Sequence, residues 1–323
     1  GNSEIVSMLY TLLADSPDMV ELDEFMERYA IRNSSSTVID IEKAGSKKSK
    51  YVMTMMDFTN STMHKTIKNA GGGKTPMSAI LQRSKRAIRV EGLAFSPEEE
   101  KLIHRDEGVF VNQWTGWAIP MHPEPVASTD VVVFLRYTEE VVANGDRDFA
   151  NWIYAWLADI IQKPAGKCGT ALVLVGPPGA GKTMLGEKIM GPIIGETHSS
   201  QINSIETLTG NFNSDTANLL FMQCDEAMNS RRRQDANRLK AMITDHWKRT
   251  EFKFADAFRI EDYCRYLFTS NDEEDAVAII DGEADRRYTV GSVNPAFAYK
   301  SEKSDVEKRA FWDEMFSFLE AKD

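Results

Sequence analysis

Long apolar runs, cysteines and clustered metal ligands are what this chain has little of. Its longest apolar stretches, 131–135 and 171–175, fall far short of the roughly 20 residues that a helix needs to span a bilayer. No basic-then-apolar leader opens the sequence. Three cysteines, Cys168, Cys224 and Cys264, show neither disulfide nor metal-knuckle spacing. They read as reduced structural thiols in a reducing cytoplasm. The carboxylates form no cluster of the kind a metal-dependent nuclease needs. Positive charge is also in deficit, with 38 Lys and Arg against 49 Asp and Glu and a net charge of −11. That argues against a protein coating nucleic acid over its whole surface, because phosphate neutralisation dominates such binding. A local basic track remains compatible with it.

What is present is 323 residues of ordinary globular composition, enough for more than one domain. Gly1 in place of Met suggests an excised fragment. Residues 1–145 read as an accessory or oligomerisation region, mainly helical, with a strand at 37–41 and a small hairpin near 109–119. The run Gly71-Gly72-Gly73-Lys74-Thr75 imitates a phosphate loop but lacks a preceding apolar strand, and reads as a flexible connection. Residues 146–162 carry Phe149, Trp152, Ile153, Trp156, Leu157 and Ile160 at three- and four-residue intervals. Such spacing builds one apolar helix stripe, with Asp146 or Asp148 placed to cap its start.

The chemistry is concentrated after that helix. The apolar run 171–175, a central strand by its composition, leads straight into Gly176, Pro177, Pro178, Gly179, Ala180, Gly181, Lys182 and Thr183. A helix beginning near Met184 follows. Strand, glycine-rich turn and helix is the setting of a phosphate-binding loop. Backbone N–H groups and the helix N-terminus would cradle the phosphates of ATP. Lys182 would reach the β- and γ-phosphates, and Thr183 would ligate Mg²⁺. A second strand, 219–224, ends in Asp225 and Glu226. Asp225 suits the Mg²⁺ and Glu226 the polarisation of the attacking water. A third strand ends in Ser270-Asn271, whose amide could face the γ-phosphate. Arg286 and Arg287 are candidate fingers for a neighbouring subunit's nucleotide. Between the acidic pair and the amide, a hairpin with Lys248, Arg249 and Lys253 could meet a nucleic-acid backbone. The expected fold is therefore α/β, a phosphate-loop NTPase with a central parallel sheet.

In this order the elements resemble the superfamily 3 helicases, AAA+-type motors of small DNA viruses, phages and plasmids. They look most like the helicase modules of phage and poxvirus-like primase-helicases. The resemblance extends over about 109–295. It also takes in Val111-Asn112-Gln113-Trp114, the stretch from Trp156-Leu157-Ala158 to Gln162-Lys163-Pro164, Leu208-Thr209-Gly210-Asn211-Phe212-Asn213, Leu239-Lys240 and Phe268-Thr269-Ser270-Asn271. It implies an AAA+-like core at 146–300, a C-terminal helix at 301–323 and a hexameric ring acting on single-stranded DNA and forked duplex. It further implies Asn271 as sensor, Arg286 or Arg287 as the trans-acting finger, and Lys253 and Lys240 as DNA contacts. An upstream primase or primase-polymerase domain, and the cytoplasm of an infected or plasmid-bearing host cell, complete the picture. The chain departs from its relatives at Asp245-His246-Trp247, where they carry a Gly-containing turn, and after Lys253, where a Gly is missing.

Other oligomeric phosphate-loop machines, such as a packaging or partition ATPase or a nucleotide-gated assembly protein, share part of this pattern. A water-polarising carboxylate separates a hydrolase from a gate. Replacing Glu226 by Gln is expected to leave ATP affinity within about twofold while turnover falls by at least a hundredfold. Equilibrium binding beside steady-state hydrolysis checks this, and undiminished turnover would remove Glu226 from the chemistry.

Overall fold

The computed structural model describes residues 17–68, 72–120, 127, 129–203, 216–225, 233–250, 258–271, 285–301 and 303–321. The chain divides into two compact units, Gly1–Thr115 and Gly116–Asp323.

In the first unit, α1 (Pro17–Arg28) leads into a sheet of β1 (Tyr29–Arg32), β2 (Thr37–Asp40), β3 (Val52–Thr54) and β6 (Ile88–Val90), in the order β3-β2-β1-β6. Two short helices, α2 (Met55–Ser61) and α3 (Met77–Arg83), follow β3 and a short strand ending at Pro76. Leu22, Phe25, Met26, Ile31, Val38, Phe58, Met77 and Leu81 form the shared core. β4 (Thr66–Lys68) and β5 (Lys74–Pro76) pair with each other, so Lys74 and Thr75 of the glycine-rich imitation lie in a strand rather than a free connection. β7 (Gly92–Ala94), β8 (Leu102–Arg105) and β9 (Gly108–Asn112) make a third sheet. The expected mainly helical character of this region is corrected: its described part holds three helices and nine strands. Most of those strands are three or four residues long, too short for their alternation to stand out.

The hairpin expected near 109–119 is displaced toward the N-terminus. Its strands are β8 and β9, joined through Asp106-Glu107 with Arg105 opposite Gly108. Beyond it the chain is turned by buried Asn112. Its Oδ1 accepts from the Ser96 and Trp114 amides at 3.1 and 3.0 Å, and its Nδ2 donates to the carbonyls of Ser96, Glu99 and Glu100.

The second unit is built on five parallel strands. They are β10 (Ala171–Val175), β11 (Ser199–Ile202), β12 (Phe221–Asp225), β15 (Arg265–Ser270) and β16 (Tyr288–Ser292), in the order β11-β12-β15-β10-β16. Every residue of β10 and β15 is buried, as befits strands covered on both faces. Each buried Leu or Val side chain of β10 contributes roughly 1.5–3 kcal/mol to anchoring the sheet.

The amphipathic helix is α5 (Arg147–Gln162). Asp146 caps it through the Phe149 amide at 3.0 Å, worth about 1 kcal/mol. The chain leaving its C-terminus is held by fully buried Arg265, whose guanidinium donates to the carbonyls of Lys163 and Pro164, to the Asp159 carboxylate of the last turn, and to the Tyr263 carbonyl. The expected boundary at 145 falls inside this unit. Ahead of it, α4 (Val132–Arg136) continues as a π-helical stretch, Tyr137–Val142. The Val141 carbonyl accepts from the Asn294 amide at 2.8 Å and the Ala118 amide donates to Ile193 at 3.2 Å. These bonds tie Ala118 and Val141 to elements of the second unit. The C-terminal helix is α8 (Asp305–Glu320), started by a capping box between Ser304 and Glu307.

Candidate active site

Because all five strands run the same way, their C-terminal ends share one edge. There β10 delivers Gly176–Thr183, β12 delivers Asp225, and β15, lying between them, delivers Thr269, Ser270 and Asn271. Gly179 (φ 76°) and Gly181 (φ 88°) take the left-handed backbone that side chains disfavour. After Thr183 the chain winds as a π-helix over Leu185–Met190 and then as α6 (Gly191–Ile194). π turns of this kind often accompany functional sites.

Lys182, 6% exposed, donates to the Gly176 and Pro177 carbonyls at 2.6 and 2.9 Å and to Asn271 Oδ1 at 2.9 Å. The loop is thus pinned by its own lysine and tied to the tip of the neighbouring strand. Tyr137, wholly buried, donates its hydroxyl to the Gly181 carbonyl at 2.9 Å. Burial raises the pKa of that phenol far above its ordinary value, so it remains a donor.

Asp225 is oriented from three sides. Thr269 Oγ1 donates to its Oδ1 at 2.5 Å, Gln201 Nε2 to its Oδ2 at 2.5 Å, and Gln223 Nε2 to both oxygens at 3.1 and 3.3 Å. Gln223 in turn presses on the π-helical stretch: a Cβ at Gly186 would lie 1.8 Å from its Oε1.

Lys182, Thr183, Met184, Asp225, Thr269 and Asn271 line one cleft of about 680 Å³, closed on another side by Tyr299, Trp312 and Phe316. A hydroxyl and a carboxylate on one cleft fit a divalent cation that keeps water and borrows phosphate oxygens. The four hydrogen bonds on Asp225 favour its acting through a bound water. No cluster of three or more His, Cys, Asp or Glu poised to hold a metal alone occurs among the described residues. Glu226, next along the chain, lies outside the described residues.

The arginines and lysines are placed elsewhere. Arg286 and Arg287 precede β16, whose Tyr288 pairs with Ala171 and whose Ser292 pairs with Val175. They therefore stand at the opposite end of the sheet from the glycine loop, beyond about 16 Å of strand. Arg287 is clamped to Asp285 at 3.0 and 3.1 Å. Arg286 is exposed and makes no hydrogen bond or ion pair with the described residues.

Two of the lysines expected at DNA are instead engaged with internal carboxylates. Lys240 lies 3.5 Å from Asp285 with 15% of its side chain exposed. Lys248 donates to Asp262 at 3.0 Å and to the Thr216 carbonyl. The hairpin itself is formed, with β13 (Trp247–Thr250) antiparallel to β14 (Phe258–Glu261). Arg249 is exposed on the face it shares with Arg259, directly opposite, and Trp247. Arg259 stacks on the Trp247 ring at 5.0 Å. Lys253 lies outside the described residues.

Sequence reasoning missed Tyr137, Thr269, Gln201 and Gln223, and the aromatics Tyr299, Trp312 and Phe316. Alternation along β15 could have shown that Thr269 and Asn271 share a face. Nothing local could have shown the others.

An α/β unit with its glycine loop, lysine, carboxylate and amide on one edge of a parallel sheet is the class this geometry defines. Residues 174–287 match the sequence profile of a family of unknown function, DUF5906. No curated protein matches the chain. Among solved structures, it is similar in fold to the C-terminal region of NrS-1. An apo structure of that region (305–718) agrees at a TM-score of 0.66 and 17% identity, over 94% of this chain and 69% of the other. Two A-form apo structures agree at 0.56 and 0.57, with 18% and 19% identity, over 76% of this chain. The chain spans 59% and 60% of the length of these two.

The root of the hairpin rests on a buried charge cluster. Lys167, 1% exposed, donates to Asp262 Oδ2 at 2.7 Å and to the Met242 carbonyl at 2.6 Å, while Lys248 holds Oδ1. Burial alone would push the Asp262 carboxyl up, but Lys248 and Lys167 together outweigh it and hold it below its ordinary value. A depressed carboxyl contributes stability above its unfolded pKa, about 3.9, and loses it as pH falls through the folded value. Asp262→Asn is expected to cost about 3–5 kcal/mol at neutral pH. It should also flatten the loss of stability below pH 4. Urea unfolding of both proteins across pH 2–7 checks this, and parallel curves would refute it.

Proposed function

We propose that this chain is an ATP-hydrolysing motor of AAA+-like, superfamily 3 type that moves on single-stranded DNA, a replicative helicase. The observation that carries the reading is the convergence of Lys182, Asp225 and Asn271 from three neighbouring parallel strands on one cleft. A nucleotide's phosphates would enter the glycine loop and exchange for the carbonyls that Lys182 now holds. Thr183 and Asp225 would hold Mg²⁺, Asn271 would meet the γ-phosphate, and Glu226 would polarise water. The fold shared with the C-terminal region of NrS-1 supports the α/β architecture on which this reading rests, and the resemblance of the motifs to phage primase-helicases supports a place in DNA replication.

The distance of Arg286 from its own loop supports an oligomer. Such an arginine can serve only a neighbour's nucleotide, and its lack of a described partner marks it rather than Arg287 as the finger. DNA contact would fall to Arg249 and Lys253, and the interface between subunits to the ends of the sheet.

Steady-state ATP hydrolysis with and without single-stranded DNA, with mass followed by light scattering, tests this. DNA is expected to stimulate turnover several-fold in a ring-sized assembly, and Lys182→Ala to be inactive. DNA-indifferent hydrolysis by a monomer would refute the motor while leaving the ATPase. For the arginine, mixing Arg286→Ala subunits with Lys182→Ala subunits is expected to restore part of the turnover that neither variant shows alone. In one of its two orders, a mixed interface then joins an intact loop to an intact arginine. No recovery on mixing would remove the finger.

A further inference from the structure

The cleft has an aromatic wall that the phosphate chemistry does not use. Tyr299, at 83% exposed, and Phe316, at 42%, are large side chains left in solvent, and both line the same cleft as Lys182. Isolated exposed apolar residues are common, but a group gathered on one cavity marks a binding surface. Trp312 lies one helical turn before Phe316 on α8, so the two share a face.

These rings rest on the loop itself. A Cβ at Gly179 would fall 2.3 Å from the Tyr299 ring, and one at Gly181 would fall 2.6 Å from Trp312. The backbone that presents Tyr299 is fixed although its ring is not covered. Lys308, 8% exposed, donates to the Ala298 and Tyr299 carbonyls and to Ser301 Oγ at 3.1, 3.4 and 3.2 Å. Phe297 packs on Phe311 and Trp312 at 4.8 and 6.0 Å. A rigid frame carrying an uncovered aromatic face is a preorganised stacking platform.

We infer that Tyr299 and Phe316, floored by Trp312, stack the purine base of the nucleotide whose phosphates the glycine loop holds. The inference rests on the nucleotide reading above and extends it to the base. Stacking engages the face of the ring and not its edge, so ATP and GTP should bind alike. Base–aromatic stacking falls by about 1–3 kcal/mol on alanine substitution, a loss of roughly five- to 150-fold.

Calorimetric titration with Mg²⁺ and ATP, GTP or inorganic tripolyphosphate separates the two levels, using the full chain with folding checked by circular dichroism. Tyr299→Ala and Phe316→Ala are each expected to weaken ATP and GTP about tenfold while leaving tripolyphosphate within twofold. Tyr299→Phe, which keeps the ring, should bind as the parent does. Unchanged ATP affinity in both alanine variants, or an equal loss for tripolyphosphate, would overturn the stacking role and leave the phosphate site standing. A parent protein that binds neither ATP nor tripolyphosphate would overturn both.

Discussion

Lys182 meets Asn271 because a strand from far downstream is inserted beside the one that carries the glycine loop. With β15 between β10 and β12, the loop lysine and the Asp225 carboxylate are held two strands apart. The residue at the end of the inserted strand bridges toward the lysine, while Thr269, two positions earlier, reaches the carboxylate. Alternation in a strand puts 269 and 271 on the same side. One strand therefore positions both halves of the site, and a slip of its register by one residue would remove both contacts together.

Much of this site was legible in the sequence. The run 171–175 with its glycine loop, the strand ending at Asp225, the strand ending at Asn271 and the stripe of α5 were each written in a local pattern of burial or spacing. The N-terminal unit was legible only in its first helix and in the strand expected at 37–41, which is β2. Its other strands are too brief to carry a period. The hairpin lies at 102–112 and not at 109–119, because the aromatic residues Trp114 and Trp117, whose type suits a strand, lie beyond its second strand. The chain is in fact turned at Asn112 by side-chain hydrogen bonds that no spacing rule anticipates.

The lysines show the other limit. Lys240 and Lys248 lie in a basic stretch, and composition alone treats such charges as available. Whether an ammonium is available depends on carboxylates supplied from a distance. Asp285 lies beyond β15 from Lys240, and Asp262 collects both Lys248 and Lys167, the latter 95 positions away in sequence. Those two lysines bind the hairpin's root to the C-terminal end of α7 (Arg233–Thr244), through the Met242 carbonyl, and to the segment ahead of β10. The charge density that looked like a surface is partly a joint.

One amide side chain sets a different kind of limit. Gln223 lies between Gly186 and Asp225, its nitrogen on the carboxylate and its oxygen against a glycine with space for nothing larger than hydrogen. The π-wound segment and the acid at the sheet edge thus share a single spacer. The smallest side-chain addition at 186 would be felt as a rotation of a carboxylate on another element. A position without any side chain of its own therefore bears on where the acid's lone pairs point.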